Sequence, residues 1–230
     1  MTNSSNLPDV ITETDAPPGS LWSRMKADPQ YAPEHLALEA VRRLGPEAAA
    51  WAERMRLDHP DRTPDQLAEM AVKRFTTLAR ISGAVSGVAG LPGAVLDVGV
   101  LAWNQARMVL HVAAAYGHDP SAPERATDLL VLQRVHKAAQ TARLALGVAA
   151  GRTRATMLFA GAASRPLSGV MMRLGIKLAQ MAGVRAARRM FAKLIPGASI
   201  VLGTWVNSTA TKDLAARARE RYHRVPEPAR

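Results

Sequence analysis

The chain has 230 residues, of which 48% are hydrophobic and 4% aromatic, so it can bury the core of one sizeable domain. It contains no cysteine, which excludes a disulfide framework, a thiolate nucleophile and a cysteine-ligated metal. Its net charge of +11 indicates an anionic partner, although a solvated basic surface on an arginine-rich protein explains the charge as well.

The first segment, residues 1–30, is polar and rich in proline, and it shows no apolar periodicity. It has neither the basic nor the apolar region of a secretory signal, so we expect a mostly disordered leader. Residues 31–62 predict short N-terminal helices. A break between two of them is expected at Gly45-Pro46, because proline is favoured at the first position of a helix.

Two helix starts are marked by the spacing of a capping box. Thr63 and Gln66 predict one box, in which the threonine caps the helix and the glutamine bonds back to it. Ser121 and Glu124 have the same spacing and predict a second box. The helix that follows the second box is expected to run to about Leu146.

Residues 81–116 predict an apolar helical hairpin, around which the domain is built. Its turn is expected at Leu91-Pro92-Gly93, and its second arm from Ala94 to Tyr116, ended by Gly117. The apolar run from Ile81 to Trp103 is long enough to cross a bilayer but is interrupted, which favours a buried hairpin over a membrane-inserted one. Four glycines allow its helices to approach closely: Gly83, Gly87, Gly90 and Gly93.

No alternating run of β-branched residues predicts a strand, so the expected fold class is all-α, with a single multi-helix domain at residues 63–224 and a tail at 225–230. One helix is expected from Leu167 to Leu194 and the last from about Ser199 to Tyr222. The first of these has a face rich in methionine and small residues, and a second, basic face made by Arg173, Lys177, Arg185, Arg188, Arg189 and Lys193.

The charge is segregated along the chain. Residues 1–70 hold 7 basic and 12 acidic residues, whereas residues 71–230 hold 23 and 7. From Leu129 to Lys212 there are 13 lysines and arginines and no acidic residue. The basic helix face within this stretch is therefore a candidate site for anionic lipid or another anion, with an ordinary solvated face as the alternative.

A polar seam is predicted on the second arm of the hairpin. Asp97, Asn104 and His111 recur every seven residues and share one helix face, with Arg107 close to it. They span about 21 Å at 1.5 Å per residue, too far to hold one metal ion. We expect Asp97 to cap the helix or to pair with an arginine such as Arg107, and a catalytic or ligand-binding role is the alternative.

No catalytic residue, metal site or cofactor is predicted. The chain has no histidine pair at ligand spacing, no nucleophile elbow, no phosphate-binding loop and no dinucleotide fingerprint. The histidines other than His111 are expected at the surface or at helix ends. These features favour a non-catalytic protein.

The chain carries, in order, Gly83 to Asp97, Gln105, Met108, Ala114 to Asp119, Lys193 to Gly203, Asn207 and Tyr222. This order of glycines and polar residues resembles the EcsC family over about residues 65–224. The resemblance implies a bacterial protein of a family linked to an ABC-transporter gene pair and, in some members, to membranes, and it supplies no catalytic residues. One departure is Pro196-Gly197, adjacent here where the family pattern has another residue or two between them.

The favoured function is that of a peripheral membrane or lipid-binding protein, cytoplasmic or at the inner face of the membrane, whose partner is anionic lipid or an apolar ligand. The alternative is a soluble protein-interaction module that serves a transporter or envelope complex. Nucleic acid is a poorer candidate, because charge is not accompanied by a reading motif or by aromatic stacking residues.

Overall fold

The computed structural model describes residues 17–85, 90–158 and 199–224, with side chains for residues 17–78, 98–151 and 209–224. This part of the chain contains α-helices and one short 3-10 turn but no strand, which confirms the all-α fold class. The helices are α1 (Gly19–Ala27), α2 (Ala32–Asp58), α3 (Pro64–Val85), α4 (Gly90–Ala115), α5 (Glu124–Leu132), α6 (Ala139–Leu158) and α7 (Ser199–Arg224).

Helix α4 lies at the centre of the fold. It packs against α2, α3, α5 and α7, while α6 lies outside, against α5 and α2. From Leu101 to Ala115 every side chain of α4 is buried, as expected for a helix that is enclosed on all sides. The described half of the predicted hairpin arm is therefore core, and among the described helices none has the length and apolar character needed to cross a bilayer.

The predicted hairpin is formed by α3 and α4, which are consecutive and pack against each other. The turn is not at residues 91–93, because α4 already begins at Gly90 and Pro92 lies in its first turn, where a missing N–H costs no helical hydrogen bond. Gly83 belongs to α3 and Gly93 to α4, whereas Gly87 lies outside the described residues.

Both ends of this hairpin have the predicted caps. The Gln66 backbone N–H donates to Thr63 Oγ1 at 3.3 Å, and the Thr63 N–H donates to Gln66 Oε1 at 3.0 Å. At the end of α4, Gly117 has a φ of 87°, and the N–H groups of Gly117 and His118 donate to the carbonyls of Ala114 and Ala113. This is the paired hydrogen bonding of a Schellman cap, which glycine permits because it has no Cβ.

The predicted disordered leader is wrong for residues 19–27, which form α1. Leu21 and Met25, one turn apart, are fully buried in the main core, and Trp22 packs against that core. The Trp22 ring lies so close to Gly99 of α4 that a Cβ there would be 2.1 Å from Trp22 Cη2. A single helical turn of apolar residues is too short to show a period in the sequence, and tertiary packing supplies its stability.

The predicted break at Gly45-Pro46 is also wrong, because α2 runs through it without interruption. Proline removes one helical hydrogen bond, but Leu44 and Ala48 on either side of it are fully buried, and this packing holds the helix together. Gly45 has a different role: a Cβ there would lie 2.9 Å from the Pro120 carbonyl oxygen. The glycine lets α2 contact the loop that follows α4.

The helix predicted from Glu124 to about Leu146 is two helices. The first of the two, α5, ends at Leu132, since Arg134 has a φ of 61° and the Val135 N–H donates to the Leu130 carbonyl. This is again a Schellman cap, but with arginine where glycine is usual, so no local pattern predicts it. The second predicted capping box is absent as well: the Ser121 N–H donates to Asp119 Oδ1 at 2.9 Å, and α5 begins without a side-chain cap.

Candidate functional site

The predicted polar seam is centred on Arg107, whose partner lies on another helix. Its Nε and Nη2 donate to Glu47 Oε1 at 2.9 and 2.5 Å, and so join the middle of α4 to α2. The Arg107 side chain is 5% exposed and that of Glu47 is 26% exposed. The predicted pairing of Asp97 with an arginine stays a prediction, because the Asp97 side chain lies outside the described residues. The described partner of Arg107 is Glu47, which the sequence did not single out.

His111 lies one turn beyond Arg107 and is fully buried. Its Nδ1–H donates to the Arg107 carbonyl at 2.9 Å, and its ring contacts Trp51 and Phe75 at centroid distances of 5.1 and 4.8 Å. Burial, together with the positive charges of Arg107, Arg74 and Arg54, lowers the pKa of His111 to about 3. The imidazole is consequently neutral at physiological pH.

Asn104 and the Nε2 atom of His111 are the other described polar groups of the seam. His111 Nε2 is 3.8 Å from Glu47 Oε1, and Asn104 is buried one turn before Arg107. Asp97 belongs to α4, but its side chain lies outside the described part of the chain. Among the described side chains, no group of three or more potential ligands could hold a metal ion. The chemistry that these residues support is an ionic lock between α2 and α4.

A second buried ionic cluster fixes α7. Asp128 of α5 contacts Arg125 at 3.5 Å and Arg221 at 3.1 Å, and it accepts a hydrogen bond from the Tyr222 hydroxyl at 3.3 Å. Burial and the Asp128 charge raise the pKa of Tyr222, so the phenol remains a donor. His118 Nε2 donates to the Tyr222 carbonyl at 3.0 Å. The Tyr116 to Asp119 turn and Tyr222, far apart in sequence, thus meet in the fold.

A third cluster holds the N-terminal helices together. Glu39 of α2 is nearly buried and accepts hydrogen bonds from Arg24 and Arg43, each at 2.7 Å, and from Arg42. Burial opposes ionisation of Glu39, but the three guanidinium groups outweigh it and hold its pKa at about 2. These arginines lie within the predicted leader and the N-terminal helices, and their positive charges are paired with the buried carboxylate of Glu39.

The outer surface of α6 differs from these clusters, because it exposes large apolar side chains. Leu144 is 67% and Val148 44% exposed, and Leu57 at the end of α2 is the only other large hydrophobic residue so exposed among the described side chains. Arg143 is exposed beside Leu144. The sequence of α6 contains three arginines and no acidic residue.

The predicted lipid-binding or anion-binding residues, Arg173, Lys177, Arg185, Arg188, Arg189 and Lys193, lie outside the described residues. Their role stays a prediction. Sequence reasoning did not identify the α6 face, although the spacing of Leu144 and Val148 beside Arg143 was a signal that could have found it. Helix α6 belongs to the same acid-free stretch as the predicted residues.

Within its described parts, the molecule is an all-helical protein with buried ionic clusters, a basic outer helix and no group of three or more potential metal ligands. The model of the EcsC protein family matches residues 55–225. The chain belongs to this family. No curated protein and no solved structure matches the chain. The family match begins within α2, so α1 and most of α2 lie before it.

Proposed function

We propose that this protein is a non-catalytic peripheral membrane protein that binds anionic lipid at the inner face of the membrane. The observation that carries the proposal is the segregation of charge: from Leu129 to Lys212 there are 13 basic residues and no acidic one. Each basic residue near an anionic bilayer contributes about 1 kcal/mol to binding. A stretch without acidic residues binds such a surface with no local repulsion.

The clusters described above support a binding role over a catalytic one. Arg107 saturates Glu47 Oε1, His111 is neutral and enclosed by aromatic rings, and Tyr222 is buried on Asp128. Arg107 and Tyr222 are buried and paired inside the fold and His111 is enclosed, so these three side chains stabilise the fold and do not face the surface. The residues that bind a partner are therefore expected on the surface, where the basic stretch provides positive charge.

The competing candidate is a protein-interaction module for a transporter or envelope complex. The same charge favours it, because an acidic protein surface attracts a basic stretch as an anionic bilayer does. The two candidates differ in whether lipid alone suffices for binding. Purified full-length protein and pure lipid vesicles therefore separate them.

The test is co-sedimentation of the full chain with vesicles of phosphatidylcholine alone and of phosphatidylcholine mixed with phosphatidylglycerol. We expect binding to the mixed vesicles, weakening as salt is raised, and little binding to phosphatidylcholine alone. An unrelated DNA duplex serves as a competitor. Binding to neither kind of vesicle would overturn the proposal, and DNA binding tighter than vesicle binding would favour a nucleic-acid partner.

A further inference from the structure

Helix α6 presents an apolar outer face that the described fold does not cover. Its inner side carries Ala142 and Leu146, which are buried in the main core. Its outer side carries Leu144 and Val148, one turn apart and exposed. Gly147 lies between them in sequence, and a Cβ added there would meet no atom within 4 Å. Within the part of the chain that the structure describes, the outer side is therefore apolar and open.

The charge around this face indicates what it contacts. Arg143 is exposed next to Leu144, and α6 has no acidic residue along its 20 residues. The third exposed hydrophobic residue, Leu57, lies among charges of both signs, because the exposed residues near it in α2 are Glu53, Arg54, Arg56 and Asp58. An apolar helix face accompanied only by positive charge is complementary to an anionic bilayer, and the surface around Leu57 is not.

We infer that the outer face of α6 is the element that contacts the membrane, with Leu144 and Val148 entering the interface of an anionic bilayer and Arg143 meeting lipid phosphate. This inference rests on the proposed function, and it adds the residues and the orientation. The buried side of α6 stays on α5 and α2, so the helix lies parallel to the membrane surface and the domain stays folded above it.

The first test compares two variants by titration with mixed phosphatidylcholine and phosphatidylglycerol vesicles. The double variant Leu144→Ser, Val148→Ser is expected to bind at least about tenfold more weakly than the wild type, since burial of one large apolar side chain contributes at least that factor. The matched control Leu57→Ser, which removes an equally exposed leucine, is expected to bind as the wild type does. Circular dichroism spectra check that both variants keep the helical fold.

The second test uses the absence of cysteine from the chain. Leu144→Cys and Leu57→Cys each create a single position for a dye whose emission shifts to the blue in an apolar environment. We expect a blue shift at position 144 on adding mixed vesicles and none at position 57. A position 144 that is already blue-shifted without vesicles, with a mass that rises with concentration, would show instead that a second copy of the chain covers the face.

The outcomes separate the inference from the proposed function. If the wild type and the double variant bind mixed vesicles equally, the role of α6 is overturned and the proposed function stands. If the wild type binds no vesicles, both are overturned. Weaker binding by the double variant, with an unchanged control and a blue shift only at position 144, supports the inference.

Discussion

At the scale of single residues, the core of this protein contains charges that are used to hold helices in place. Arg107 and Glu47 join α4 to α2, and His111 beside them is neutral because burial opposes its protonation. Such a buried pair is costly to break, because removal of one partner leaves the other charge without compensation. The neutral histidine makes the stability of the fold depend on pH.

The pKa of His111 is about 3 in the folded protein and about 6.5 in the unfolded chain. Below pH 6.5 the unfolded chain therefore binds a proton that the folded protein does not, so stability falls as the pH is lowered. From pH 7 to pH 5 we expect His111 to cost about 2 kcal/mol of unfolding free energy.

The measurement is urea unfolding of the wild type and of His111→Phe at pH 7 and pH 5. The variant has no proton to gain at this position and should lose about 2 kcal/mol less over that interval. His35, whose pKa is also lowered by burial, remains in both proteins and contributes equally. An identical pH dependence in the two proteins would show that His111 is not a neutral buried group.

At the scale of helices, tertiary packing decides several boundaries. Helix α1 exists because Leu21 and Met25 are buried, and it reaches α4 through the ring of Trp22 on Gly99. Trp22 lies outside the residues matched by the family model, whereas Gly99 lies inside them. The contact attaches the N-terminal helix to the centre of the family domain.

Gly99→Ala tests this attachment. The new methyl group would collide with the Trp22 ring, so we expect a loss of roughly 1–3 kcal/mol of unfolding free energy. In a Trp22→Ala background the collision is gone, and the same substitution should be neutral or stabilising, because alanine favours helix over glycine. Equal costs in both backgrounds, measured by chemical unfolding, would rule out the contact.

The elements that the sequence predicted correctly are those with local signals. The Thr63 and Gln66 box and the Gly117 cap follow from residues within one turn of each other. The continuous α2 and the end of α5 depend on burial around Pro46 and on an unusual backbone angle at Arg134, which no local pattern marks. Likewise, the partner of Arg107 is 60 residues away in the chain, so no local pattern predicts this ion pair.

At the scale of the whole molecule, the central feature is a strongly basic segment, residues 71–230, that follows an acidic one. The first 70 residues carry more acidic than basic residues, and the acid-free stretch begins directly after Asp128. The family match establishes what kind of chain this is, and the charge and the outer face of α6 favour a membrane surface as its partner. The proposed membrane binding therefore depends on where the basic residues lie in the chain more than on the net charge.

The most direct test removes equal charge from the acidic segment, residues 1–70, and from the basic segment, residues 71–230. One triple variant carries Arg185→Ser, Arg188→Ser and Arg189→Ser, and the control carries Lys26→Ser, Arg54→Ser and Arg62→Ser, three exposed residues of the acidic segment. At about 1 kcal/mol for each basic residue, the first variant should bind phosphatidylglycerol-containing vesicles roughly a hundredfold more weakly than the wild type, and the control should bind almost unchanged. Equal affinities for the two variants would contradict the account.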